Sequence, residues 1–199
     1  MGVFMYNELK LKYELLKIYK EIYFNKNLGS EEIENLYIEY LKTMVCLTPK
    51  KPVYDDYSKK YEYINCYGYA LGLTYPKIFH DRYEEIEMDD FSHNLGFIYG
   101  KRNYSNLPSF QLDALYNDLD ALNIEYYDTE IDAKNTHGGY KISFYLAVDD
   151  FHFMRQNRDG SWSEKIGYTD EFYKNNDALP HYKKYELQKT LEIVKPRKR

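Results

Sequence analysis

Apolar and polar residues alternate with a helical period through the first fifty positions. Over 7–24, Leu11, Leu15, Ile18 and Ile22 share one stripe while Lys and Glu fill the positions between them, which predicts an amphipathic helix. After a turn at 25–29, Ser30 can cap a second helix. Glu31 and Glu32 fall in its first turn, where the helix dipole favours carboxylates, and Ile33, Tyr37, Tyr40 and Met44 form its buried stripe. The run Thr48-Pro49-Lys50-Lys51-Pro52 stops helix propagation, because each proline lacks a donor and restricts its predecessor. The pattern divides the chain into an N-terminal helical hairpin, 1–48, and a main domain, 49–199.

In the main domain the period changes. An extended entry at Tyr61 leads to Asn65 and Cys66, either of which can begin a short helix through Tyr69, Ala70 and Leu73. Residues 77–104 are rich in His, Asp, Asn, Gly and Tyr without periodicity, which predicts long connections with at most short elements. Pro108 and Ser109 open another helix carrying Leu112, Leu115, Leu119 and Leu122, and a strand follows at 124–127. His137-Gly138-Gly139 precedes a β-rich run over 140–148, Asp149-Asp150 turns it into 151–156, and Asp159-Gly160 reads as a two-residue hairpin turn into 161–166. Three successive antiparallel strands are expected, with a further strand or short helix near the end of the chain. The fold class is therefore α+β.

Composition narrows the function. At 199 residues, 44% hydrophobic and 30% charged, the chain can bury one core and stay in solution. The net charge of −5 and the interspersed basic residues disfavour nucleic acid as a ligand, and the run Lys195-Pro196-Arg197-Lys198-Arg199 reads as a solvated, frayed end. The 25 tyrosines fit half-buried packing or a recognition surface. No stretch approaches the ~20 apolar residues of a membrane span. The first twenty residues lack the apolar centre of a signal peptide, and Tyr6 stands where a myristoylation signal wants Ser or Thr. A cytoplasmic location is expected, unless other means deliver the protein to another cell or to a cell wall. Cys46 and Cys66 are the only cysteines, too few for a disulfide framework or a structural zinc site. No cofactor is expected, and the oligomeric state is not set by the sequence.

Candidate chemistry centres on Cys66. A thiol attacks a carbonyl as thiolate, which proteins favour by placing Cys at a helix N-terminus beside a histidine. Backbone N–H groups of that first turn, with the Asn65 side chain nearby, could hold the oxyanion. His152 lies on an alternating strand with Met154 and Gln156 on its face. A two-residue turn at Asp159-Gly160 would set Gln156 opposite Ser163 and Met154 opposite Lys165, so Gln156, Ser163 and Lys165 are the side chains expected near the imidazole. His80, His93 and His181 lie in loop-like surroundings, as does His137, an alternative base beside two glycines. Cys46 reads as structural, on the apolar side of the second helix.

Three motifs in order, Asn65-Cys66-Tyr67-Gly68-Tyr69-Ala70-Leu71, Asp150-Phe151-His152-Phe153-Met154-Arg155-Gln156 and Gly160-Ser161-Trp162-Ser163-Glu164-Lys165-Ile166-Gly167, resemble a group of poorly characterised bacterial and phage proteins. Their motifs run N-C-x-x-Y-A-L, D-[YF]-H-x-x-R-Q and G-x-W-S-x-K-x-G. That group is similar in layout to the papain-like, NlpC-type and CHAP cysteine hydrolases. The resemblance covers 65–167 and implies a papain-like arrangement: the Cys-bearing helix packed on a small antiparallel sheet, Cys66 as nucleophile and His152 as base. The third motif usually carries His after Trp-Ser, where this chain has Glu164. The third catalytic member stays open, with Gln156 and Ser163 as candidates by face.

The leading function is a cysteine peptidase or amidase acting on a peptide, a protein or peptidoglycan, as a phage-type lysin, an injected effector, or an intracellular protease or deamidase. The tyrosine-rich stretch 75–104 is expected to form the substrate wall. The alternative is a non-catalytic interaction or inhibitor protein on the same scaffold, binding through an acidic, tyrosine-rich surface. A metal enzyme using Asp89, Asp90, His93 and His137 ranks last, since their spacing matches no recognised site.

Overall fold

A computed structural model describes residues 2–48, 50–54, 59–85, 95–100 and 108–196. Helices α1 (Gly2–Phe24) and α2 (Ser30–Leu47) come first, then a single 3-10 turn (Lys59–Tyr61), α3 (Cys66–Leu71), α4 (Lys77–Glu85) and α5 (Pro108–Ala121). The strands are β1 (Glu125–Asp128), β2 (Tyr140–Leu146), β3 (Phe151–Gln156), β4 (Trp162–Lys165), β5 (Phe172–Asn175) and β6 (Glu186–Val194). They form one antiparallel sheet in the order β1-β6-β2-β3-β4-β5. The molecule is thus α+β, with helices packed against a six-stranded antiparallel sheet. Among the described residues, no helix is long and apolar enough to cross a membrane.

Strand alternation assigns each side chain to a face. Tyr140, Ile142, Phe144, Phe153, Leu191 and Ile193 face the helices, and they share one buried cluster with Ile18 and Ile22 of α1, Ile33, Tyr37 and Leu41 of α2, Leu71 of α3 and Leu115 and Leu119 of α5. The N-terminal helices are therefore built into the same core as the sheet. The other face carries Tyr145, Met154 and Trp162, which pack with Ala178, Ile131 and Tyr185 from the chain that crosses this side. Cover on both sides explains why every residue of β2 is buried.

Buried charges hold the connections. The Asp118 carboxylate accepts the N–H groups of Gly96 and Tyr99, each at 2.8 Å, and the Tyr67 hydroxyl at 3.0 Å, folding 95–100 onto α5. Burial lifts its pKa to about 6 against the opposing effect of those donors. On the far face, Lys141 and Glu192 are cross-strand partners, and each serves the loop that precedes β2. The Lys141 ammonium donates to the carbonyls of Glu130 at 2.8 Å, Ile131 at 2.5 Å and also Ala133. Glu192 accepts the N–H groups of Thr136 at 2.8 Å and of His137 and Gly139 at 3.0 Å.

Three expectations are corrected. The segment expected to be long connections with at most short elements opens with a two-and-a-half-turn helix, α4, whose buried side is Phe79, Arg82 and Tyr83; an arginine within the stripe breaks the apolar period. Asp159-Gly160 is not a two-residue turn. Asn157 N–H donates to the Ser161 carbonyl, and Gly160 sits at φ +89°, which makes a three-residue loop over 158–160. Lys195 does not belong to a frayed end: it is buried and donates to Thr48 Oγ1 at 2.9 Å. Burial, reinforced by the nearby Arg155, pulls its pKa down to about 7. Residues 197–199 lie outside the described residues.

Gly139, just before β2, lies close against β6, since a Cβ there would be 2.1 Å from the Ile193 carbonyl oxygen. Gly139→Ala is expected to destabilise the fold by about 1–3 kcal/mol through forced strand separation, read as a lower urea midpoint with an unchanged slope.

Candidate active site

Local sequence places the thiol. Asn65 has extended backbone, φ −89° and ψ −174°, and its side-chain oxygen accepts the Gly68 N–H at 3.1 Å, so α3 starts at Cys66. Gly68 is required inside this short helix because a Cβ would lie 2.2 Å from Ile64 Cγ1. The helix ends at Gly72 in the left-handed region, φ +67°. Arg155 locks that end, donating to the Tyr69 carbonyl at 2.8 Å with its guanidinium 3.7 Å from the Tyr69 ring centroid. The Tyr69 hydroxyl in turn donates to Ser163 Oγ at 3.0 Å. Helix α3 is thus tied to β3 and β4 at one end, and its N-terminal cysteine points to the notch where β4 stops.

The notch follows from strand length. Met154 pairs with Glu164, so a longer β4 would set Ile166 opposite His152. Instead β4 ends at Lys165, the Ile166 N–H bonds to the Glu171 carbonyl at 3.0 Å in the turn into β5, and His152 lies beyond the end of β4, beside a gap in the sheet. Through that gap Cys66, from the helix side, reaches an imidazole that belongs to the other face. The thiol is 4% exposed and lies 4.0 Å from the Phe151 carbonyl oxygen. A cleft of about 490 Å³ opens over Cys66 and His152, walled by Phe151, Ile166, Tyr168, Tyr182 and Tyr185.

His152 Nε2 lies 2.5 Å from Glu164 Oε2, with side-chain exposures of 3% and 0%. The second carboxylate oxygen accepts the His181 N–H at 2.7 Å. Burial works against charge on this imidazole, but the hydrogen bonds and negative charges of Cys66 and Glu164 outweigh it and raise the pKa to about 9. Thiol, imidazole and carboxylate are gathered at one cleft, an arrangement that can move a proton off a thiol and return it to a leaving group.

Gln156 and Ser163, the candidates for the third member, are both engaged elsewhere. Gln156 accepts from Asn135 Nδ2 at 3.0 Å. Ser163 faces α3 and donates to Asn157 Oδ1 at 3.0 Å. The cause is the three-residue turn: it moves the β3–β4 register by one residue, which turns Ser163 and Lys165 to the helix face and brings Glu164 to the imidazole. Asn65 acts as the cap of α3, with its side-chain oxygen on the Gly68 N–H.

Other candidates fall apart from this group. His137 stacks on Tyr127 with centroids 3.5 Å apart and lies 3.3 Å from Glu192, outside the cleft lining. Asp89, Asp90 and His93 lie outside the described residues. On α4, ligand atoms of His80, Asp81 and Glu84 come within 4.8 Å of one another, but Lys77 already pairs with Asp81 at 2.5 Å. Of the stretch expected to wall the substrate, 86–94 and 101–104 lie outside the described residues and Tyr75 is buried against Tyr37, with centroids 4.9 Å apart; among the described residues Tyr168, Tyr182 and Tyr185 border the cleft.

The structure also accounts for the K-x-G of the third motif. Lys165 is fully buried and donates to the carbonyls of Gly167 at 3.0 Å and Thr169 at 2.5 Å, shaping the turn that forms the cleft wall. Burial lowers its pKa to about 8, against the charges of Asp170 and Cys66. Cys46 donates to the Lys42 carbonyl within α2, and burial raises its pKa. No family model, curated protein or solved structure matches this chain.

A pH test follows from the imidazole. An unfolded histidine loses its proton near 6.5 and His152 holds it to about 9, so its contribution to stability is complete below pH 6.5 and is lost as pH rises through 9. The thermal midpoint of the wild type is expected to fall across this window more steeply than that of His152→Gln. In Glu164→Gln the NMR titration midpoint of His152 is expected to move down.

Proposed function

We propose that the protein is a cysteine hydrolase of peptide or amide bonds, with a papain-like division of labour between Cys66 and His152. The observation that carries this is the buried imidazole that is bonded to the Glu164 carboxylate and lines one open cleft together with Cys66. An inert core histidine needs neither a thiol partner nor a cleft above it.

In the reaction, His152 already holds the proton given up by Cys66, so sulfur attacks the substrate carbonyl carbon as thiolate, and the carbonyl oxygen becomes the oxyanion of a tetrahedral intermediate. The Cys66 backbone N–H, at the start of α3, donates to that oxyanion. As the intermediate collapses, the C–N bond breaks and the imidazolium returns the proton to the leaving amine. A water, deprotonated by His152, then cleaves the thioester to a carboxylic acid and free Cys66. Glu164 does not change protonation in this scheme. It orients the ring and stabilises the imidazolium, the role of the acid in a Ser-His-Asp triad. Glu164 in place of the usual His of the third motif therefore gives the imidazole an anionic partner.

Iodoacetamide is expected to modify Cys66 faster than Cys46 at pH 7 in the native protein. His152→Ala should abolish that preference, and Glu164→Gln should reduce it. Against a peptide or peptidoglycan substrate that is turned over, His152→Ala is expected to cost about 10²–10⁴-fold in kcat, with mass spectrometry of a trapped acyl-enzyme locating the acyl group on Cys66. Equal labelling of the two cysteines would instead favour a binding protein on this scaffold.

A further inference from the structure

Asp150 opens the second motif, and Tyr185 borders the cleft, yet neither takes part in the chemistry above. The two are joined: the Tyr185 hydroxyl donates to Asp150 Oδ2 at 2.6 Å. The Asp150 carboxylate is itself fixed, accepting the Phe151 N–H at 2.8 Å and Lys184 Nζ at 3.0 Å. The Tyr185 ring lies over the His152 imidazole, with centroids 5.1 Å apart and planes inclined by 26°.

We propose that Tyr185, anchored by Asp150, is a positioning residue that presses on the face of the His152 ring, keeping it aimed at Cys66 and favouring its protonated form. This rests on the hydrolase reading of the site. The groups around the imidazole are Cys66 from α3, Glu164 from β4, Tyr145 opposite it on β2, and Tyr185 with Asp150 and Lys184. Glu164 holds the ring at Nε2, and the Cys66 charge acts on it from the helix side. A single bond at one ring nitrogen still allows the ring to rock about that bond, and a stacked ring removes that freedom.

The electrostatics act in the same direction. An aromatic face attracts a cation within about 6 Å, more strongly where water is excluded. A phenol that donates to a carboxylate gains electron density in its ring, which strengthens that attraction. Burial, aided by the Asp150 carboxylate, keeps the Tyr185 hydroxyl protonated and so able to donate. Asp150 stays ionised: burial opposes its charge, but Tyr185 and Lys184 outweigh that and lower its pKa.

The test compares wild type, Tyr185→Phe and Tyr185→Leu in the intact chain by two measurements: the NMR titration midpoint of His152 and the pH 7 alkylation rate of Cys66. Tyr185→Leu removes the ring and is expected to lower the His152 midpoint by about one pH unit and slow alkylation about tenfold. Tyr185→Phe keeps the ring but frees it from Asp150, and a smaller shift in the same direction is expected. A folded Tyr185→Leu with the wild-type midpoint overturns the proposal. Should that variant not fold, a wild-type midpoint in Tyr185→Phe overturns it instead. The NMR midpoint separates this idea from the hydrolase reading: a wild-type Cys66 no faster than Cys46 defeats the latter, while the midpoint shifts still decide the clamp.

Discussion

The contact between Glu164 and His152 constrains this molecule more than any other. Both side chains are inside the protein, and a carboxylate removed from water costs several kcal/mol unless its oxygens are paired. One oxygen of Glu164 takes the imidazole and the other takes the His181 N–H. The second bond obliges the chain after β5 to cross the sheet over the dyad. Tyr145 fixes the same crossing by donating to the Ala178 carbonyl at 2.5 Å. The requirement to satisfy one buried acid thus dictates the path of a segment that has no regular structure of its own, and that path sets Tyr182 and Tyr185 along the cleft.

A second constraint lies on the helix face, where cations take the place of apolar packing. Arg155 is completely buried, donating to the Tyr61 hydroxyl at 3.1 Å and to the Tyr69 carbonyl at the far end of α3. Lys195 sits nearby, close enough to Arg155 for the two charges to repel. Both lie at the C-terminal end of the helix that carries Cys66, where carbonyl groups without helical partners concentrate and positive charge is favourable. The Arg of the second motif and the Lys of the third therefore act on opposite sides of the thiol, one behind its helix and one beneath the cleft wall.

Much of this was legible from local chemistry. Asn65 before Cys66 announced a helix start, and the strands around His152 showed their alternation. The partner of His152 was not, because Asp-Gly serves two hairpin loops alike: both use glycine with positive φ, and they differ by one residue in length. That single residue decides whether Glu164 or its neighbours Ser163 and Lys165 face the imidazole. Helix α4 was hidden by Arg82, which occupies a buried position by pairing with Glu85 and by donating to the Asn25 carbonyl at 3.3 Å. Lys195 read as part of a basic tail because its surroundings, Thr48 and the Tyr140 ring, come from distant parts of the chain.

The ammonium of Lys141, ringed by three main-chain carbonyls, fills the place that a coordinated cation takes in many structured loops. A coordinated ion exchanges with solvent, so its occupancy follows concentration and is open to competition from chelators. A cation joined to the sheet by four methylene groups is never diluted. The order that Lys141 lends to the 129–139 loop is for that reason indifferent to the ionic composition of its surroundings, and it is lost only with the lysine proton, which burial makes easier to remove.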